Sequence, residues 1–241
     1  MNLKSRLLTI TICAALLASV ACATRTSDSN GAGGSSSSPS SGGVATTSGG
    51  VISEKDKPLD AMTKAVHAQL DAKSYRAQVD MTASNGTTSK LSIEYAAPDR
   101  YHMTTESQTN GRQFSLEYII VGKDTYMKTN NGAWTRFPVD MSSMLTAIRN
   151  PKMLDDLAKA ADVRLVGADT LDGAPALVYE YTMTNPAGMI LKSTAKTWVS
   201  VADGLPRKTE SESEMNGVKT KSVATLTDYN SDIKIELPTA K

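Results

Sequence analysis

Ser74-Tyr-Arg-Ala-Gln-Val-Asp-Met-Thr-Ala-Ser-Asn-Gly-Thr-Thr-Ser-Lys-Leu-Ser-Ile-Glu-Tyr-Ala96 alternates apolar and polar residues on both sides of an Asn-Gly pair. Tyr75, Ala77, Val79 and Met81 share one face of an extended chain, and Leu91, Ile93 and Tyr95 do the same after the turn. A period of two marks a strand with one wet face, because successive side chains point to opposite sides of the pleat. Asn85-Gly86 supplies the turn, since both residues tolerate positive φ. The pattern continues in Tyr101 and Met103, then in Phe114, Leu116, Tyr118 and Ile120. Turn pairs recur at Asn110-Gly111, Asn131-Gly132, Asp172-Gly173, Asp203-Gly204 and Asn216-Gly217. Such pairs between alternating segments predict an antiparallel meander, because parallel strands need long crossovers. Strands are expected again at 163–166, 176–184, 189–200, 205–215 and 218–229.

Two stretches carry a helical period instead. Leu59, Met62, Val66 and Leu70 recur at helical spacing after Pro58, which suits the first helical turn. Met141, Met144, Leu145 and Ile148 do so again. Asn150-Pro151 then reads as a cap and a second start, with Leu154, Leu157, Ala158 and Ala161 on one face. Helices are expected at about 141–149 and 151–161. The fold class is therefore mainly β with α.

The N-terminus reads as an export signal. Lys4 and Arg6 precede an apolar run from Leu7 to Val20, too short to span a bilayer well. Leu16-Leu-Ala-Ser-Val-Ala-Cys22 closes it with small residues before a cysteine. This resembles the bacterial lipobox, in which the Cys thiol receives a diacylglyceryl group and cleavage precedes it. Ser19 stands where that pattern usually has Leu. Plain secretion, with Ala21-Cys22-Ala23 as an A-x-A cleavage site, is the alternative. Residues 23–53 hold 10 Ser and 7 Gly, too little apolar surface to fold. A flexible linker of this length has an r.m.s. span of roughly 30 Å. The expected organisation is a signal peptide at 1–21, a lipidated Cys22 with a disordered linker over 22–53, and one domain over 54–241. Removing 1–21 deletes Lys4 and Arg6 and no acid, so the formal charge of +1 becomes −1. Attraction to nucleic acid or to an anionic bilayer is not indicated by that charge.

Groups suited to catalysis are scarce. Both cysteines, Cys13 and Cys22, lie in the leader region, and the histidines are His67 and His102. His67 borders the apolar stripe of the first helix. His102 alternates with Tyr101 and Met103 and should face solvent. No Gly-x-Ser-x-Gly occurs. Asp155 and Asp156 splay apart on a helix. Glu210, Glu212 and Glu214 share one strand face as an acidic stripe, a water-facing surface with a minor potential for cations or partners. Asn85-Gly86-Thr87 fits a glycosylation sequon but reads better as a hairpin turn. No catalytic group, metal site or cofactor is expected, and the chain reads as a non-enzyme.

The order of elements resembles the LolA-like superfamily, which includes the periplasmic lipoprotein carriers and the LppX–LprG-type lipid-binding lipoproteins. The resemblance is carried by Pro98-Asp-Arg-Tyr-His-Met103, Val121-Gly-Lys-Asp-Thr-Tyr-Met127 and Asn131-Gly-Ala-Trp-Thr135. It continues in Leu171-Asp-Gly173 before Leu177-Val-Tyr179, and in Trp198-Val-Ser-Val-Ala-Asp-Gly-Leu-Pro-Arg207. It implies a half-open antiparallel β-barrel with helices covering the concave face around an apolar cavity for acyl chains. It also implies a lipid or acylated ligand, palmitate among the candidates, and an exported protein held to the cell membrane or outer membrane by its N-terminal lipid. Proteins of this shape also serve as envelope sensors, so a non-transporting sensor or scaffold with an envelope protein partner is the alternative.

The residues expected to line such a cavity are Val79, Met81, Leu91, Ile93, Tyr95, Met103, Phe114 and Leu116 from the sheet. Leu145, Ile148, Leu154 and Leu157 would join them from the helical insertion, acting as a lid. The mature chain retains ten Met, a flexible side chain that adapts to irregular guests and equally fills an ordinary core.

Overall fold

Pro58 opens α1 (Pro58–Asp71), and Asp60 sits in its first turn, where a carboxylate complements the helix dipole. The computed structural model describes residues 50–152, 161–184, 191–215 and 217–238. After α1 come β1 (Ser74–Ala83), β2 (Thr88–Ala96), β3 (Arg100–Thr109), β4 (Arg112–Val121), β5 (Asp124–Thr129) and β6 (Thr135–Phe137). The short α2 (Met141–Ile148) precedes a second meander of β7 (Asp162–Leu171), β8 (Ala174–Thr184), β9 (Leu191–Ser200), β10 (Pro206–Met215) and β11 (Val218–Thr227). The expected helix at 151–161 falls almost wholly outside the described residues, as do Cys22, Leu154 and Leu157.

All eleven strands form one antiparallel sheet in the order β6-β5-β4-β3-β2-β1-β11-β10-β9-β8-β7. Each half is a meander of neighbouring hairpins. The halves join where the first strand meets the last, with Ala77 opposite Leu226 and Val79 opposite Ala224. β6 and β7 are the outer edges and do not pair, so the barrel stays half open. The hairpins turn where the dipeptides predict. Asn110 and Gly111 have φ of 50° and 74°, and Asp172 and Gly173 have 50° and 80°; these left-handed conformations cost Asn, Asp and Gly least.

The two helices divide the inner face between them. α1 covers the second meander, where Ala61 and Ala65 pack against Leu177, Tyr179 and Val199. Of the stripe Leu59, Met62, Val66 and Leu70, Met62 packs against this cluster, and all four are half-buried. The two alanines lie deepest because a small side chain lets helix and sheet approach closely. α2 covers the first meander, placing Met141 and Leu145 over a cluster that includes Tyr75, Val79, Leu91, Ile93 and Met103.

Two segments outside the regular elements complete the packing. Ile52 is 1% exposed and belongs to the cluster under α1, and Val51 N–H donates to the Val201 carbonyl at 2.9 Å. The packed domain thus reaches back into the stretch expected as linker, because a single Ile among Ser and Gly suffices to dock. On the outer face, Ile233 and Ile235 cover Ala96, Ile119 and Val121. Arg100 holds that strap by donating to the Ile235 carbonyl at 2.7 Å.

Candidate functional site

Register places the inner-face residues of the first meander in rows. Val79 lies opposite Leu91, which lies opposite Thr105, which lies opposite Leu116. The next row runs Ala77, Ile93, Met103, Tyr118 and Met127. The last runs Tyr75, Tyr95, Tyr101, Ile120 and Thr125. One sheet face therefore gathers Val79, Leu91, Ile93, Tyr95, Met103 and Leu116 from the expected lining, all buried. Met81 is half-buried at the edge of the cluster. Phe114 stands at the hairpin end of the same face, 41% exposed. Leu145 packs on the cluster from α2. Ile148 closes α2, with its side chain outside the described residues. Along β4 the apolar face runs from the buried Leu116 to the exposed Phe114, and the row at that rim is Met81, Ser89, Ser107 and Phe114.

The other end of this face is aromatic. Tyr75 lies 5.2 Å from Tyr95 and 5.8 Å from Tyr229, and Tyr95 lies 5.0 Å from Tyr101, between ring centroids. Burial pushes the hydroxyls of Tyr75, Tyr101 and Tyr229 above the usual phenol range. They stay protonated, and the Tyr229 hydroxyl donates to the Pro206 carbonyl at 2.8 Å. Arg149, just past α2, sets its guanidinium 4.2 Å above the Tyr95 ring. It donates to the Leu70 carbonyl at 2.9 Å and, at a longer 3.4 Å, to the Tyr75 hydroxyl. Of these tyrosines the sequence singles out Tyr95 as lining and gives Tyr75 and Tyr101 only as strand residues, and it does not point to Arg149; no local pattern distinguishes an Arg after a helix that points inward.

The inner face of the second meander differs in chemistry. Thr197 faces Thr209 at 3.0 Å and Ser211 faces Ser222 at 2.7 Å, oxygen to oxygen, beside Ala195 and Ala224. Small hydroxyl residues line this middle part of the sheet, and the large apolar residues of the second meander, Leu177, Tyr179 and Val199, lie under α1. Under α1, burial with nearby Asp56 and Glu54 pushes the Tyr179 hydroxyl up to about 12. That hydroxyl is buried without a hydrogen-bond partner among the described residues.

The outer face carries a ladder of charges. Arg76 bonds both Glu94 and Asp228, at 2.8 and 3.0 Å. His102 stands between Glu94 and Glu117, at 3.2 and 2.8 Å, and Glu117 also pairs with Lys128. Burial alone would raise Glu94 and Glu117. The hydrogen bonds from Arg76 and His102 to Glu94, and from Lys128 and His102 to Glu117, reverse this and hold both below the usual carboxylate range. His102 does face away from Tyr101 and Met103 as expected, but alternation could not reveal its two partners on neighbouring strands. Glu210, Glu212 and Glu214 form no acidic stripe: cross-strand register sets them opposite Lys196, Lys221 and Lys219, and Glu212 and Lys221 approach to 2.7 Å. A solvent-open depression of about 470 Å³ on this face is lined by Arg76, Gln78, Glu94, His102 and Thr104 among others, which suits polar contacts rather than an acyl chain.

Among the described residues no group of three or more His, Cys, Asp or Glu could hold a metal ion, and no helix is long and apolar enough to cross a membrane. No family model and no curated protein matches the sequence. Solved structures do match. The lipoprotein LppX of Mycobacterium tuberculosis aligns over 74% of this chain and 97% of its own, with a TM-score of 0.52 and 13% sequence identity. The chain has the fold of LppX. LprF of Mycobacterium bovis aligns over 75% of this chain and 96% of its own at 12% identity, with a TM-score of 0.48. A LolA superfamily protein of Nitrosomonas europaea aligns over 76% and 96% at 12% identity, with a TM-score of 0.29. The open, mainly antiparallel architecture expected from the LolA-like resemblance is the one observed.

Proposed function

We propose that this chain is an exported bacterial lipoprotein, tethered to the cell membrane or outer membrane through Cys22. In this reading it binds, and carries, an acyl chain on the inner face of β1–β4. One observation supports this most strongly: the apolar inner face spans from the buried floor of Val79, Leu91 and Ile93 to the exposed Phe114, with only the short α2 among the described elements packed over it. Lining the floor with a chain requires Met141 and Leu145 of α2 to move off the cluster, since six of the expected lining residues are closed to solvent in this form. Each methylene buried there contributes about 0.8 kcal/mol, so a long chain can offset the lost helix contacts. The protein acts by binding and release, and no residue is assigned a catalytic role.

The packed floor also favours a second reading, a non-transporting envelope sensor or scaffold whose interior needs no guest. Protein purified from membranes, extracted with organic solvent and analysed by mass spectrometry, separates the two. Recovery of a stoichiometric acyl lipid supports carriage. A lipid-free protein that also fails to bind a fluorescent fatty acid leaves the interaction module.

A further inference from the structure

We propose that Arg149 anchors the negatively charged headgroup, carboxylate or phosphate, of a single acyl chain laid along the inner face of β1–β4. This rests on the lipid-binding reading above and narrows it to one chemical class.

Arg149 is half-buried. Its guanidinium carries five N–H donors, and its two hydrogen bonds run to neutral oxygens, those of Leu70 and Tyr75. It forms no ion pair among the described residues. Arg76, Arg136, Arg164 and Arg207 each pair with a carboxylate, whereas Arg100, like Arg149, donates to a backbone carbonyl but does so on the outer face. A charge withdrawn from water without a counterion is costly, and an anion is the ligand that relieves that cost. The Tyr95 ring 4.2 Å below the guanidinium and the two hydrogen bonds hold the fork in place, which suits two-point recognition of a carboxylate or phosphate.

The position is right for a headgroup. Arg149 sits at the end of the half-barrel where β1 begins and β2 ends, and the exposed Phe114 sits near the opposite, hairpin end. The run of β2 from Tyr95 back to Ser89 covers about 20 Å, the length of an extended sixteen-carbon chain. Ile93 and Leu91 lie along that path, with Met103 beside them. The head would rest at Arg149 and the tail would reach toward Phe114.

The test uses the full chain, delipidated, with hexadecanoate, hexadecyl phosphate and hexadecan-1-ol as probes, and with acetate and inorganic phosphate as headgroups without a tail. Wild type should bind both anionic lipids roughly tenfold or more tighter than the alcohol, the size of a charge-assisted hydrogen bond. Arg149→Gln should erase that ratio while leaving alcohol binding in place, and Arg149→Lys should keep part of it. The tail-free anions should not compete; competition by either would make this a free-anion site and overturn the proposal. Equal affinity of wild type for acid and alcohol would overturn the anchor and leave the lipid reading standing. A uniform loss of all three lipids in Arg149→Gln would reduce Arg149 to a staple between α1 and the sheet. Failure of every lipid to bind wild type would remove the lipid reading and the anchor with it.

Discussion

Ile52→Ala tests where the folded domain begins. Ile52 is 1% exposed and touches the cluster of Ala61, Ala65, Leu177, Tyr179 and Val199. Cutting a fully buried Ile to Ala removes its transfer free energy and leaves a cavity under α1, a loss of about 2–5 kcal/mol. For a domain of this size each kcal/mol lowers Tm by about 2–4 °C, so a fall of roughly 4–20 °C is expected. The neighbouring Val51 is 54% exposed, and Val51→Ala should stay within about 0.5 kcal/mol of wild type. Differential scanning calorimetry on both variants gives the comparison. A chain beginning at Glu54, which also loses the hydrogen bond from Val51 to Val201, should melt at or below Ile52→Ala. A chain beginning at Gly50 should match wild type. Ile52→Ala melting within a degree of Val51→Ala would refute the docking of this segment and return the boundary to residue 54.

Ile93→Trp and Leu116→Trp distinguish a filled floor from a lipid-accepting one. Overpacking costs about 1–3 kcal/mol in a closed core, whereas in a lipid-accepting interior stability should hold and displacement of a fluorescent fatty acid should fall. Cys22→Ala should release the protein from membranes into the soluble fraction; an intact mass showing an unmodified N-terminus beyond Cys22 in the wild type would mean plain secretion. Glu94 and Glu117 are held below the carboxylate range, so they add stability above their unfolded pKa, near 4.3, that is lost as pH falls through their lower folded values. Tm should therefore drop on acidification below about pH 5, and the Glu94→Gln/Glu117→Gln pair should flatten that slope; an unchanged slope would show that the ladder does not contribute.

Strand identity was legible because each strand has one wet face. Tyr75, Ala77, Val79 and Met81, or Leu91, Ile93 and Tyr95, announce their shared side without any partner, and Asn-Gly and Asp-Gly pairs mark the turns. Most of the expected sheet lining consequently lies on one face. On α1 the apolar stripe reaches the sheet through Met62, but alanines carry little weight in a hydrophobic pattern, so Ala61 and Ala65, which permit the closest approach, do not stand out in it. Ile52 was overlooked because its neighbours are Ser and Gly, and composition speaks for a window rather than for one side chain.

By itself the sequence determined most of the antiparallel meander, its Asn-Gly and Asp-Gly turns and the inward side of β1 to β4, since these follow from period and φ preference along adjacent residues; the short β5 and β6 carry too brief an alternation to stand out. Only the tertiary structure decided that β1 pairs with β11, making one half-open sheet from two meanders. Those partners are separated by most of the domain and nothing local encodes their register. The same pairing of distant strands and helices brings Arg149 over Tyr95 and sets His102 between Glu94 and Glu117. A charge acquires its meaning from what surrounds it in space, and those neighbours come from segments far apart in the chain.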